Sequence, residues 1–251
     1  MINEVTFNNV NFWEELGVVL KDPPSYPIPA EIKEQVKVKG ANGSLTESTG
    51  YFNDLELKLS FRKLTTFGEP QYKQINDFKY KINTIFNNVP TTQSNLIFSE
   101  VPNKYYKVKS CKVGAVTKIS QYEYDFEVDF ICDPFLYRQD EIELSADSNT
   151  ITFQYEGDVP NAPLITLTST GAGKVRIYGK TSSIVFTMPG AGTYYINQNP
   201  YSIVTKDNGT PIITSGNYIV CSKGANTIYA SEDAKNQITR IKVKKNERYL
   251  G

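Results

Sequence analysis

The sequence predicts a mainly β chain of two domains, a first β domain carrying one α-helix and a second built as a β-sandwich. Three observations predict it. Apolar and polar residues alternate with period two through much of the first half. Short apolar runs separated by turn residues fill the second half, and a single segment switches to helical spacing. Alternation gives a strand one buried and one wet face, whereas apolar residues three and four apart share one side of a helix.

Leu55-Glu56-Leu57-Lys58-Leu59-Ser60-Phe61-Arg62 alternates without a break, as does Tyr122-Glu123-Tyr124-Asp125-Phe126-Glu127-Val128-Asp129-Phe130. Both read as half-buried strands. Between them, residues 69–88 place Tyr72, Ile75, Phe78, Ile82 and Ile85/Phe86 at helical spacing, after Phe67-Gly68 and before Pro90. This predicts one amphipathic helix whose apolar face covers one side of the first sheet. Within Asp133-Pro134-Phe135-Leu136-Tyr137 a strand run then ends in Pro, and the polar stretch Arg138-Gln139-Asp140-Glu141 follows. The domain joint is therefore set at 139, with residues 1–139 and 140–251 as the two domains. In the second, strands are expected at 151–155, 164–167, 175–178, 184–188, 193–196, 203–204, 218–221, 227–230 and 238–243. Gly171-Ala172-Gly173, Pro189-Gly190-Ala191-Gly192 and Asp207-Asn208-Gly209 punctuate them, which is the spacing of a sandwich.

A chain of 251 residues has material for two cores. Its folded surface scales to roughly 11,000 Å² against about 41,000 Å² unfolded, so about three quarters can be buried. Lysines and arginines number 27, as do aspartates and glutamates, and there is no histidine. Zero net charge argues against specific nucleic-acid binding and against an anionic membrane, both of which demand a basic excess. Without histidine there is no Ser-His-Asp or Cys-His pair, no imidazole metal site and no histidine pH switch. Cys111, Cys132 and Cys221 are too few and scattered for a disulfide framework. They read as reduced thiols of a chain made in a cytoplasm. The N-terminus lacks the basic and apolar regions of a signal peptide, and no run approaches the roughly 20 apolar residues of a membrane helix.

Glu123, Asp125, Glu127 and Asp129 share one strand face and could suggest a calcium site or a glycosidase pair. The preceding strand offers Lys107, Lys109 and Lys112, however. A hairpin opposing Tyr106 to Phe130 and Val108 to Val128 also opposes Lys107 to Asp129 and Lys109 to Glu127, a salt ladder needing no ligand. The Gly-rich stretches open no helix and read as tight turns rather than phosphate loops. Seventeen tyrosines could serve as sugar-stacking platforms or protein-interface anchors, and the sequence does not separate the two uses. No residue is assigned a catalytic, cofactor-binding or metal-ligating role, and no enzymatic activity is expected.

Several segments together resemble the distal tail (Dit) protein family of siphophages, the hub at the tip of a long non-contractile tail. Gly17-Val18-Val19-Leu20 precedes Tyr26-Pro27-Ile28-Pro29. Next come Val36-Lys37-Val38-Lys39-Gly40-Ala41-Asn42-Gly43-Ser44-Leu45 and Tyr51-Phe52-Asn53-Asp54. Phe98-Ser99-Glu100-Val101-Pro102-Asn103-Lys104-Tyr105-Tyr106 is similar to the family's F-S-x-x-P-D-x-Y-Y pattern. Phe130-Ile131-Cys132-Asp133-Pro134-Phe135-Leu136-Tyr137 is similar to its F-x-C-x-P-x-x-Y pattern. Gly157-Asp158-Val159-Pro160-Asn161-Ala162-Pro163 resembles the G-N-x-x-x-x-P start of its second domain. Where the family's glycine-flanked loop often carries a charged pair, this chain holds Ala41-Asn42.

The resemblance implies an N-terminal tail-tube-like, ring-forming β domain and a C-terminal galectin-like β-sandwich. Six copies would form a homohexameric ring continuing the bore of the tail. Expected partners are the tail-tube protein, tail-tip and tape-measure-associated proteins, and baseplate or receptor-binding proteins. The protein would be made and assembled in the host bacterial cytoplasm and end in the virion at the tail tip. The long loops 21–35 and 40–50, rather than the helix, are expected to carry the ring interface. The alternative is a carbohydrate-binding adhesion module recognising host glycans, with Asn197-Gln198-Asn199-Pro200-Tyr201 as its local candidate.

Overall fold

The computed structural model describes residues 4–40, 42–65, 71–87, 94–197, 203–207, 209–231 and 237–250. Phe67-Gly68 and Pro90, expected to bracket the helix, lie outside these residues, as do Ala41, Asn208 and 198–201 of the amide-aromatic segment. The chain divides into two compact units, 1–137 with 250–251, and 138–249.

In the first unit, β1 (Val5–Phe7) and β2 (Val10–Asn11) lead into α1 (Phe12–Leu16) and β3 (Val18–Leu20). Asn11 Oδ1 accepts the N–H groups of Trp13 and Glu14, and Gly17 closes the helix in the left-handed region at φ 59°. A Cβ on Gly17 would also lie 2.9 Å from Lys63 Nζ, so both the turn and the packing favour glycine. Then come β4 (Glu31–Lys37), β5 (Ser44–Phe52), β6 (Leu55–Leu64), α2 (Gln71–Asn87), β7 (Ser94–Phe98), β8 (Lys104–Val113), β9 (Thr117–Lys118) and β10 (Glu123–Arg138). One sheet runs β2-β1-β7-β8-β10-β6-β3, with β9 against β10, while β4 and β5 form a two-stranded sheet of their own.

The alternating segments bury the expected faces. Leu55, Leu57, Leu59 and Phe61 of β6 and Tyr124, Phe126, Val128 and Phe130 of β10 are buried together with Phe78, Ile82 and Phe86 of α2. Phe78 meets Phe126 edge-on at 5.5 Å, and Phe86 stacks on Phe7 at 5.4 Å. Such ring pairs contribute roughly 0.5–1.5 kcal/mol beyond the area they bury, so α2 is pinned across the sheet by aromatic contacts.

The first unit departs from the sequence expectation in three of its elements. A second helix, α1, has five residues, too few to show a helical period. β10 does not stop at Pro134 but continues to Arg138. Its pairing with β6 ends at Cys132 opposite Leu55, so no partner on that side requires the N–H that Pro134 lacks. Finally, the loops expected over 21–35 and 40–50 contribute a hairpin, β4 against β5.

The second unit contains β11 (Glu143–Ala146), β12 (Thr150–Tyr155), β13 (Leu164–Ser169), β14 (Gly173–Tyr178), β15 (Ser183–Met188) and β16 (Gly192–Asn197). It continues with β17 (Ile203–Lys206), β18 (Pro211–Ile212), β19 (Thr214–Gly216), β20 (Gly224–Ser231), β21 (Ile238–Lys244) and β22 (Arg248–Tyr249). Two sheets run β11-β21-β13-β16-β17-β18 and β12-β20-β14-β15-β19. Ile165, Leu167, Ile241 and Val243 from one and Ile177, Phe186 and Ile228 from the other share a single core, which makes the unit a β-sandwich. The expected strand over 218–221 is instead irregular backbone, tied by one bridge between Cys221 and Asn161.

Candidate functional site

The acidic row of β10 is the first place to look for chemistry, and it is occupied by cations from its own fold. Arg62 of β6 sits directly opposite Asp125 and grips it through two hydrogen bonds, Nε to Oδ1 at 2.8 Å and Nη2 to Oδ2 at 3.1 Å. Lys21 reaches the same carboxylate at 3.0 Å, and Arg62 lies 3.7 Å from Glu123. Lys58 pairs with Glu127 at 2.9 Å and stands opposite Asp129. Hydrogen bonds from Arg62, and secondarily Lys21, hold the Asp125 carboxyl below its ordinary range against the opposing effect of burial. The row is thus a salt ladder, but its cations come from β6 and from Lys21 just after β3, not from β8 as expected. The β8 register is shifted: Gly114 N–H donates to Glu127 O at 2.8 Å. Lys109 instead binds Asp54 and Asp133, and Lys107 lies over the Tyr137 ring. No three metal-ligating side chains gather among the described residues. Millimolar calcium, or EDTA, is expected to leave the melting temperature unchanged. A calcium-dependent rise would show that the row binds metal.

The cysteines offer no nucleophile. All three are free, and burial pushes the thiols of Cys132 and Cys221 up to about 12 and that of Cys111 up to about 11. Of the amide-aromatic candidate only Asn197, at the end of β16, falls within the described residues. Among those residues no helix is long and apolar enough to cross a membrane.

The β4–β5 hairpin differs from the long strands β6, β8 and β10 of the first unit, because almost all its residues are exposed on both faces. Register sorts its side chains. Val36 opposes Leu45 and Glu34 opposes Glu47, whereas Lys33 opposes Ser48, Gln35 opposes Thr46 and Lys37 opposes Ser44. Alternation puts the first two pairs on one face, apolar and acidic, and the other three on the opposite face, basic and hydroxylic. Leu45 is 61% exposed, and Tyr51 near the base 74%.

A lone two-stranded ribbon is marginal in water, and like charges directly opposed across it are destabilising. Neither Glu34 nor Glu47 meets a cation among the described residues. The base is firm: Phe52 packs edge-on against Phe135 at 5.1 Å, and Asn53 N–H donates to Ala30 O at 3.2 Å. An apolar surface flanked by cations would answer what the ribbon leaves open. Sequence reading missed these strands because neither face is buried; the Gly40 and Gly43 pair between two Val- and Leu-bearing runs was the available signal.

No family model matches this chain, and neither does any curated protein. Among solved structures it is similar to the crystal structure of SPP1 Dit (gp 19.1) protein, described as a paradigm of hub adsorption apparatus in Gram-positive infecting phages. The likeness covers 100% of both chains with a TM-score of 0.69 and 12% sequence identity. At that identity it establishes the fold: the chain shares the architecture of SPP1 Dit through both of its units.

Proposed function

We propose that this chain is the structural hub of a siphophage tail tip. In this reading six copies close into a ring that joins the tail tube to the tip and to baseplate or receptor-binding proteins. The observation that carries the proposal is the likeness over the whole length to a protein described as a hub adsorption apparatus. The hairpin supports it physically. A heterologous contact that closes a ring gives every copy one neighbour to hold its ribbon and one ribbon to hold. The role is structural and virion-borne, with no enzymatic step. That part of the reading is supported by the absence of histidine and by an acidic row committed to Arg62, Lys58 and Lys21. Equal numbers of acidic and basic side chains suit a conduit that DNA traverses without sticking.

Light scattering over a tenfold concentration series, with negative-stain images of the same sample, tests the proposal. Six-fold rings of about 170 kDa are expected from six copies of the 28.3 kDa chain. Monomers that also fail to bind a tail-tube or tail-tip protein would overturn it.

A further inference from the structure

The two outer faces of the sandwich are chemically unlike. Along β21, Arg240, Lys242 and Lys244 are each answered by a carboxylate: Asp147 at 2.6 Å, Glu143 at 2.8 Å and Glu141 at 2.7 Å. This is how a solvated face is usually furnished. The outward positions of the opposite sheet, in β12, β20, β14, β15 and β19, include no carboxylate. The charged side chains there are Lys174 and Arg176 of β14, and on β12 and β20 hydroxyls predominate beside a pair of aromatic rings. Tyr178 and Tyr229, register partners on β14 and β20, stack with centroids 4.7 Å apart and planes 10° from parallel. The Arg176 guanidinium lies 5.8 Å from the Tyr178 ring.

One face of each ring is therefore covered by the other. The second face of Tyr229 borders its other register partner, Thr150 on the edge strand β12. Beside it the hydroxyls of Thr152 and Thr227 meet at 3.0 Å. A phenol wall thus rises next to a floor of small hydroxyl side chains. β12 and β20, which carry this floor, hold no charged side chain, where the outer face of the other sheet is furnished with ion pairs.

We propose that this face, walled by Tyr229 and floored by Thr150, Thr152 and Thr227, binds a neutral polysaccharide. A pyranose ring offers a C–H face to stack on the phenol, and hydroxyls that both donate to and accept from threonine. A ligand without formal charge needs no ion pair from the site. An added β-strand does not fit here, because the edge of β12 is capped. Ser148 Oγ accepts Thr150 N–H and donates to Thr150 O, and Lys245 Nζ donates to Gln154 O. The site shares no residue with 197–201 or with the hairpin, so its test stands or falls apart from the hub reading.

The full chain would be applied to an array of neutral hexose and N-acetylhexosamine hexasaccharides beside phosphorylated and sulfated ones. Hits would then be titrated by calorimetry. A neutral hexasaccharide is expected to bind, with Tyr229→Ala and Thr152→Lys each weakening it about tenfold or more, the size of one ring-stacking contact. Arg240→Ala, on the other face, binds as the parent does. Both loss variants alter exposed positions, and unchanged melting temperatures establish that they are folded. Retention of charged glycans alone, retention of none, or undiminished binding by Tyr229→Ala overturns the proposal.

Discussion

If the proposed ring is seated through the β4–β5 ribbon, Leu45→Asp is expected to convert it from about 170 kDa into monomers of 28.3 kDa while leaving the melting temperature unchanged. Leu45 is 61% exposed, lies opposite Val36, and shares its face with Glu34 and Glu47. In an isolated chain the substitution is a surface change, worth within about 0.5 kcal/mol. In a ring seated through this ribbon it removes a contact worth roughly 1.5–3 kcal/mol if the leucine is fully buried there. It also adds a third carboxylate to a face that already holds two. Every interface of the ring carries the change, and a closed ring loses its closure when any one interface opens, so the losses compound. Ile213→Asp is the matched control, since Ile213 is 93% exposed between β18 and β19 in the other unit. Light scattering of both variants beside the parent decides the matter. A Leu45→Asp chain that still sediments and scatters as a ring removes the hairpin from the interface.

The elements legible in the sequence are those with one wet and one dry face. β6 and β10 show their period because Leu57 and Phe130 are buried while Lys58 and Asp129 are not. α2 shows its own through Phe78, Ile82 and Phe86. The hairpin has no dry face in the single chain, so Glu31-Ile32-Lys33-Glu34-Gln35-Val36-Lys37 gives no contrast to read. α1 is too short for a period, although Asn11 with Glu14 three residues later is a capping signal that could have marked its start. The salt ladder was legible as a ladder but not in its partner. β10 lies between β8 and β6, both of which carry cations at alternate positions, and only the register tells which strand supplies them. The tyrosine pair depends on β14 and β20 being neighbours, a pairing of residues far apart in the chain that no local pattern contains.

Glu247→Gln is expected to lower the stability of the sandwich by about 3 kcal/mol, at the low end of the cost of breaking a buried ion pair. Glu247 is 4% exposed and acts as the hub of a small network. It accepts Glu156 N–H at 2.9 Å and the Tyr249 hydroxyl at 2.6 Å, pairs with Lys245 at 2.7 Å, and lies 3.7 Å from Arg138. The low end applies because the Lys245 side chain keeps 15% of its exposure and so stays partly hydrated when its partner is lost.

The same network sets a pH dependence. Burial alone would raise the Glu247 carboxyl, but the hydrogen bonds from Lys245, Tyr249 and Glu156 outweigh it and hold the group below its ordinary 4.5. A carboxyl depressed by folding contributes stability that is fully present above that ordinary value and is lost as pH falls through the lower folded value. Denaturant unfolding of the parent should therefore show stability declining below pH 4.5, and Glu247→Gln should be both less stable at neutral pH and flatter across the acid range. A variant that matches the parent at neutral pH, or keeps the same acid slope, would show that Glu247 is not the ionised centre that holds residues 245–249 to the strand end at Glu156.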